Sequence, residues 1–299
     1  MKAKNIKFDK VELTDGFWKD RFKLNASVSI YAVKKRFEAS GRFDAVRFNK
    51  GNDNIHVYYD SDVAKWIEAV AYLVRYNKSR YTDLIDFCDD LIAKMCENQR
   101  EDGYFNSYFQ QKEPTEVFKR RNDHELYCAG HIIEAGIAYA EYVGKNDLLN
   151  LAERYVKYIK KRFMDEKSAE FVTCGHEEIE LALFRLYRYT GNKEYRELAE
   201  FFINQRGANE KDQIIATKEA FQDNAPAREL REAEGHAVRA MYYYCAMADM
   251  AEIDNDKKLE EACNALFNDI INKKLYITGG IGSTRLGESF TKAYDLPNM

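Results

Sequence analysis

Residues 124–163 read HELYCAGHIIEAGIAYAEYVGKNDLLNLAERYVKYIKKRF. Apolar residues recur at helical spacing on both sides of Val143-Gly144-Lys145-Asn146, which predicts helices over 124–143 and 147–163. Gly144 suits the left-handed residue that ends a helix. So short a turn folds the two helices back on each other as an antiparallel hairpin.

The same unit recurs along the chain. Tyr76-Asn77-Lys78-Ser79, Thr190-Gly191-Asn192-Lys193 and Ile253-Asp254-Asn255-Asp256 each separate two helical stretches. Further helices are predicted near 20–39, 60–77, 81–98, 176–190, 193–205, 235–251 and 256–272. In the second of these, Val63, Trp66, Ile67, Val70, Leu73 and Val74 make one apolar stripe. Only three prolines occur, so long segments run without a breaker. Connections between hairpins are longer and uneven. Tight turns on one rim and variable loops on the other are the pattern of an all-α fold, an (α/α)6 toroid or barrel of helical hairpins. The rim with long loops is where a ligand site belongs. The nine helices fall short of the twelve that close such a ring, so residues 1–299 are expected to be its N-terminal part, incomplete at the C-terminus. Ile6 to Leu13 alternates as a short strand or arm would, and 100–122 reads as a long loop.

Composition narrows the function. The 299 residues carry a net charge of −4 and no basic stripe, which argues against nucleic acid. No apolar run is long enough to span a membrane, and the N-terminus lacks a signal-peptide core. Six cysteines without a C-x-x-C pair read as free thiols in a reducing, cytoplasmic setting. Aromatics make up 14% of the chain; most fill core, and some can stack on sugar faces.

Three of the five histidines follow glycine: Gly130-His131, Gly175-His176 and Gly235-His236. Each stands at or near the start of the first helix of a hairpin, and Asp62 holds the matching position in the first hairpin. Stacked hairpins would bring all of these to one rim, where imidazoles can donate to or accept from the hydroxyls of a polyol. The glycines are expected to allow tight turns and close ligand approach. Histidines from three hairpins of a wide ring are not expected to meet at metal-ligand distance, so no metal site is assigned to them. Among many carboxylates Glu288 stands out, in a loop carrying Gly279, Gly280, Gly282 and Gly287. Asp102, in Asp102-Gly103-Tyr104, and Tyr127 are further cleft-lining candidates.

Several ordered stretches resemble the bacterial β-L-arabinofuranosidases of glycoside hydrolase family 127. They are Asp60 to Glu68, Gln99 with Asp102-Gly103-Tyr104, His124 to His131, Gly175 to Glu180, Gly235 to Ala240 and Gly279 to Asn298. The resemblance implies an (α/α)6 catalytic domain acting on terminal β-L-arabinofuranosides with retention, through a cysteine nucleophile, a glutamate acid/base and a zinc ion. It implies that His131, His176, His236 and Glu288 contact the sugar. In the family the acid/base glutamate and zinc-binding cysteines follow the Asp-Leu-Pro-Asn motif, and none of the six cysteines here matches them. Those groups are therefore expected beyond residue 299, with no catalytic residue and no zinc ligand in this chain, and the isolated chain is expected not to hydrolyse glycosides. Two other readings stay open: a non-catalytic carbohydrate-binding or scaffold toroid, and a sugar 2-epimerase-like toroid using histidine acid/base chemistry. Open apolar helix faces would suit a homodimer.

Overall fold

A computed structural model describes residues 6, 10–51, 55–212 and 216–297. All nine predicted helices are present. The N-terminal one is α1 (Gly16–Leu24), which passes through a wide turn at Asn25–Ser29 into α2 (Ile30–Ala39). A short α3 (Arg42–Arg47) precedes four hairpins: α4 (Tyr59–Tyr76) with α5 (Thr82–Asn98), α7 (Glu125–Tyr142) with α8 (Asp147–Lys160), α9 (Ile179–Thr190) with α10 (Lys193–Gln205), and α11 (Ala237–Asp254) with α12 (Lys257–Asp269). The segment 100–122 is not all loop. Asn106 accepts from the backbone of Tyr108 and Phe109 and so starts α6 (Ser107–Lys112).

The four turns behave as the sequence requires. Gly144 and Gly191 have φ of 84° and 77°. In the last turn Asn255 takes the left-handed place at φ 53°, and Asp256 then caps α12 by accepting from Leu259 N at 3.0 Å. These turns occupy one rim of the fold.

The first helices of the hairpins pack in sequence, α4 on α7, α7 on α9 and α9 on α11, and α2 packs on α4. They form an inner arc, with α5, α8, α10 and α12 outside it. Helix α7 lies at the middle and is buried from Glu125 to Ala140 on every side, because α4, α8 and α9 surround it. Each core Ile, Leu or Phe here is worth about 1.5–3 kcal/mol of burial. The outer ends of the arc are apolar and open: Phe17 and Trp18 at one end, Phe267, Ile277 and Leu286 at the other.

The expected N-terminal strand is not formed by the described residues; Val11–Leu13 have no regular structure, and residues 7–9 lie outside the described set. The one β-bridge among the described residues joins His236 to Ser289. No helix among them is long and apolar enough to cross a membrane.

Candidate active site

The loops that lead into α4, α7, α9 and α11 share one rim, opposite the tight turns. They deliver a histidine to each inner helix: His56 before α4, His124 before α7, His176 before α9 and His236 before α11. The expectation that Gly130-His131 and Asp62 are the members in register is corrected. His124 ends the loop in a left-handed conformation, φ 62°, so α7 starts at Glu125 and His131 falls inside the helix.

His131 still reaches the same cluster, because it lies one turn beyond Tyr127 on the same face. The Tyr127 ring stands 4.5 Å from His131 and 4.3 Å from His176, centroid to centroid. His176 in turn lies 5.5 Å from His236 and 5.7 Å from His124. Tyr242 of α11 closes the group at 5.8 Å from His131 and 6.0 Å from His176. From α4, Lys65 donates to the Tyr127 hydroxyl at 2.7 Å.

The glycines that precede the histidines serve the protein backbone rather than a ligand. A Cβ at Gly235, whose φ is +70°, would lie 1.8 Å from the Glu219 carbonyl oxygen. A Cβ at Gly130 would lie 2.5 Å from Glu178 Cγ. Close packing of loop on loop and of helix on helix demands glycine at both.

His236 is the N-cap of α11, its Nδ1 accepting from Arg239 N at 3.3 Å. That leaves Nε2 facing Glu288 Oε2 at 3.0 Å. Phe290 N donates to Gly235 O at 2.9 Å, which pins the glycine-rich loop to the start of α11. Glu288 itself is largely open, 72% exposed at the side chain. It borders a cavity of ≈ 680 Å³ walled by Leu181, Val238, Met241, Tyr242, Cys245 and Ile281. A cavity of this size with apolar walls and a few convergent polar groups is the usual form of a small-ligand site.

Electrostatics keep the imidazoles neutral. Burial, then the Arg239 guanidinium, pushes His124 down to about 4. Burial likewise takes His176 down to about 2 and His131 well below the ordinary range. His236 is lowered by burial and by Arg239, with Glu288 opposing. Each neutral ring offers one donor and one acceptor, which matches the hydroxyls of a sugar.

Two candidates lie apart from the rings. Asp62 is paired with Arg42 at 2.7 Å on the α4 side. Asp102 caps its own turn, accepting from Tyr104 N at 3.1 Å and pairing with Arg100, and touches none of the ring cluster. Behind His176, Arg206 is fully buried between Glu177 at 3.1 Å and Glu180 at 3.2 Å, a set that fixes the loop before α9. Sequence reasoning did not single out Tyr242, Lys65, Glu178 or Arg239. Tyr242 lies six residues past His236 and lines the cavity, but six is not a same-face helical spacing, so no pattern marked it.

The family model of the β-L-arabinofuranosidase GH127 catalytic domain matches residues 10–299. The chain belongs to that family. It is 33% identical to a non-reducing end β-L-arabinofuranosidase of Bifidobacterium longum, over 90% of this chain and 43% of that protein. Its fold matches the crystal structure of a GH127 β-L-arabinofuranosidase from Geobacillus stearothermophilus with a TM-score of 0.89 and 37% identity, over 97% of this chain and 49% of that one. A second GH127 β-arabinofuranosidase structure matches with a TM-score of 0.85 and 31% identity, covering 97% and 47%. The chain thus spans less than half the length of these relatives.

Zinc, which the family resemblance implies, does not fit the described residues. No three His, Cys, Asp or Glu side chains among them form a metal-ligand group. The thiols of Cys128 and Cys174 are buried, which raises their pKa well above the usual range, and they face Val57 O and the Glu180 carboxylate. Cys245 borders the cavity, and burial raises its thiol as well. None of these thiols belongs to a group of three metal-ligand side chains among the described residues, and no step below runs through a metal.

Proposed function

We propose that this chain forms the sugar-holding wall of a site that hydrolyses terminal β-L-arabinofuranosides. The observation that carries the reading is the His236–Glu288 contact, 3.0 Å long, at the edge of the ≈ 680 Å³ cavity. The neighbouring histidines are neutral, and Tyr242 gives the cavity a flat aromatic face; together these suit a furanose with its hydroxyls on one edge. His131, His176, His236 and Glu288 hold those hydroxyls. Glu288 is also the one carboxylate among the described residues bordering the cavity. Its open side chain, held by the His236 imidazole, accepts hydrogen bonds from the hydroxyls of the bound sugar. Six free thiols support a reducing, cytoplasmic setting.

The test is binding of methyl β-L-arabinofuranoside by calorimetry, with the α-anomer as control. Saturable, β-selective binding is expected. Replacing Glu288→Ala removes the carboxylate that accepts from the sugar hydroxyls. It is expected to weaken binding by about tenfold, as loss of a hydrogen bond to a charged group requires. Equal affinity for both anomers would contradict the substrate assignment. Binding by a protein with no turnover in its full length would favour the non-catalytic carbohydrate-binding reading.

A further inference from the structure

His131 and Glu178 meet inside the arc with an unusual balance of partners. Glu178 is 1% exposed, and its Oε1 stands 3.5 Å from His131 Nδ1, a close approach a few tenths of an ångström longer than an ordinary hydrogen bond. Its Oε2 has no hydrogen-bond partner, and neither has His131 Nε2. The approach is built into α7: the Glu178 side chain occupies the space a Cβ at position 130 would take, its Cγ only 2.5 Å from that point. Glycine at 130 is the opening through which Glu178 reaches the ring of the next residue.

The surroundings set the charge of that carboxyl. Glu68 of α4 and Glu134 of α7 face it with the same sign, as does Glu180 on its own helix, and Lys65 of α4 is the opposing cation. Lys65 is itself committed to the Tyr127 hydroxyl at 2.7 Å, and Arg185 to Glu134 and Glu68. Tyr127, Tyr242 and Cys245 also face Glu178 and add no cation. A carboxylate left in this setting would be a buried anion with one oxygen unpaired, which folded proteins avoid by protonation.

We propose that Glu178 is a positioning residue: as a neutral acid it donates to His131 Nδ1 and so holds the His131 proton on Nε2, as a donor among the rings of Tyr127 and Tyr242. An ionised Glu178 would impose the opposite tautomer, with the proton on Nδ1 and an acceptor at Nε2. The Gly175-His176-Glu177-Glu178 stretch thereby acts on the site twice, through the His176 ring and through Glu178 on the tautomer of a histidine in a different hairpin. That the Nε2 donor meets a sugar oxygen rests on the function proposed above; the tautomer does not.

The experiment is a long-range proton–nitrogen correlation spectrum of the ligand-free chain, labelled with nitrogen-15 histidine, at neutral pH. The His131 signals are assigned by their loss in His131→Gln. In wild type, Nδ1 is expected to be unprotonated and Nε2 protonated. Glu178→Gln, whose amide can donate to Nδ1 in the same way, is expected to keep that pattern. Glu178→Ala is expected to move it towards a mixture of the two tautomers. A wild-type His131 protonated at Nδ1, or a Glu178→Gln variant that switches tautomer, overturns the proposal. If the alanine variant does not fold, the wild-type and glutamine spectra decide it alone. Failure to bind arabinofuranosides with the Nε2–H tautomer intact would sink the functional reading and leave this inference standing.

Discussion

His236 Nε2 and Glu288 Oε2 lie 3.0 Å apart, joining the first residue before α11 to a loop more than fifty positions later. Their contact holds the His236 imidazole between opposing charges. Arg239 pushes its pKa down and Glu288 pushes it up, while burial lowers it most. Replacing Glu288→Gln removes the raising charge, so the His236 pKa falls further. Replacing Arg239→Gln removes a lowering charge, so it rises. Titration of the histidine signals by NMR gives both shifts, and equal signs in the two variants would show that the pair does not control this ring.

Glycines 235 and 144 separate backbone strain from steric exclusion. Both have positive φ, +70° and +84°. An alanine at 144 meets nothing within 4 Å and bears the conformational strain alone, about 1–2 kcal/mol. An alanine at 235 must also displace the Glu219 carbonyl. Gly235→Ala is therefore expected to lose more stability than Gly144→Ala, and to weaken sugar binding, since the loop it moves carries His236. Chemical denaturation ranks the two; equal losses would mean that the Gly235–Glu219 approach is not tight.

Stability should decline with alkali above about pH 6.5. Burial raises Asp60 to about 6, Glu134 to about 7, and Glu125 and Glu177 to about 8. A carboxyl raised in the folded state contributes stability that is full below its unfolded pKa and lost as pH climbs through the folded value. The buried histidines run the other way: with lowered pKa values, their contribution is lost as pH falls from about 6.5. Above that point the carboxyls set the slope, joined towards about pH 8.5 by the buried thiols, whose raised pKa values act in the same direction. Glu125 accepts from Tyr104 Oη at 2.7 Å and Phe118 N at 2.8 Å, and Glu125→Gln can satisfy both groups while staying neutral. Unfolding free energies at pH 6.5 and 8.5 should differ less in Glu125→Gln than in wild type; an unchanged difference would assign the slope elsewhere.

The helices and hairpins were legible because each apolar stripe is long and each turn carries Gly144, Gly191 or a comparable polar signal. Asn255 shows how such a signal hides: an asparagine does the work of the glycine. The cluster was legible in part. His176 and His236 were found through their spacing from the turns, since both stand where loops become helices. His131 was placed in the right cluster on the wrong register, because it lies six residues inside α7, which starts at Glu125, while His124 holds the loop-end position. Asp102 looked like a cleft residue because its loop is long, but α6 folds within that loop and the carboxylate serves its own turn. Glu178 and Lys65 were beyond pattern reading, since their partners Gly130, His131 and Tyr127 come from another hairpin.

The central claim is that His131, His176 and His236 with Glu288 form one sugar-holding surface. The most direct measurement is a titration of the nitrogen-15 histidine-labelled chain with methyl β-L-arabinofuranoside. The account predicts that the signals of these three histidines shift together along one saturable curve, that the α-anomer moves them far less, and that His236→Ala weakens the curve by about tenfold, through loss of its hydrogen bond to the sugar and of the contact that holds Glu288. Saturable binding that leaves all three histidines unmoved, or that survives His236→Ala unchanged, would contradict it.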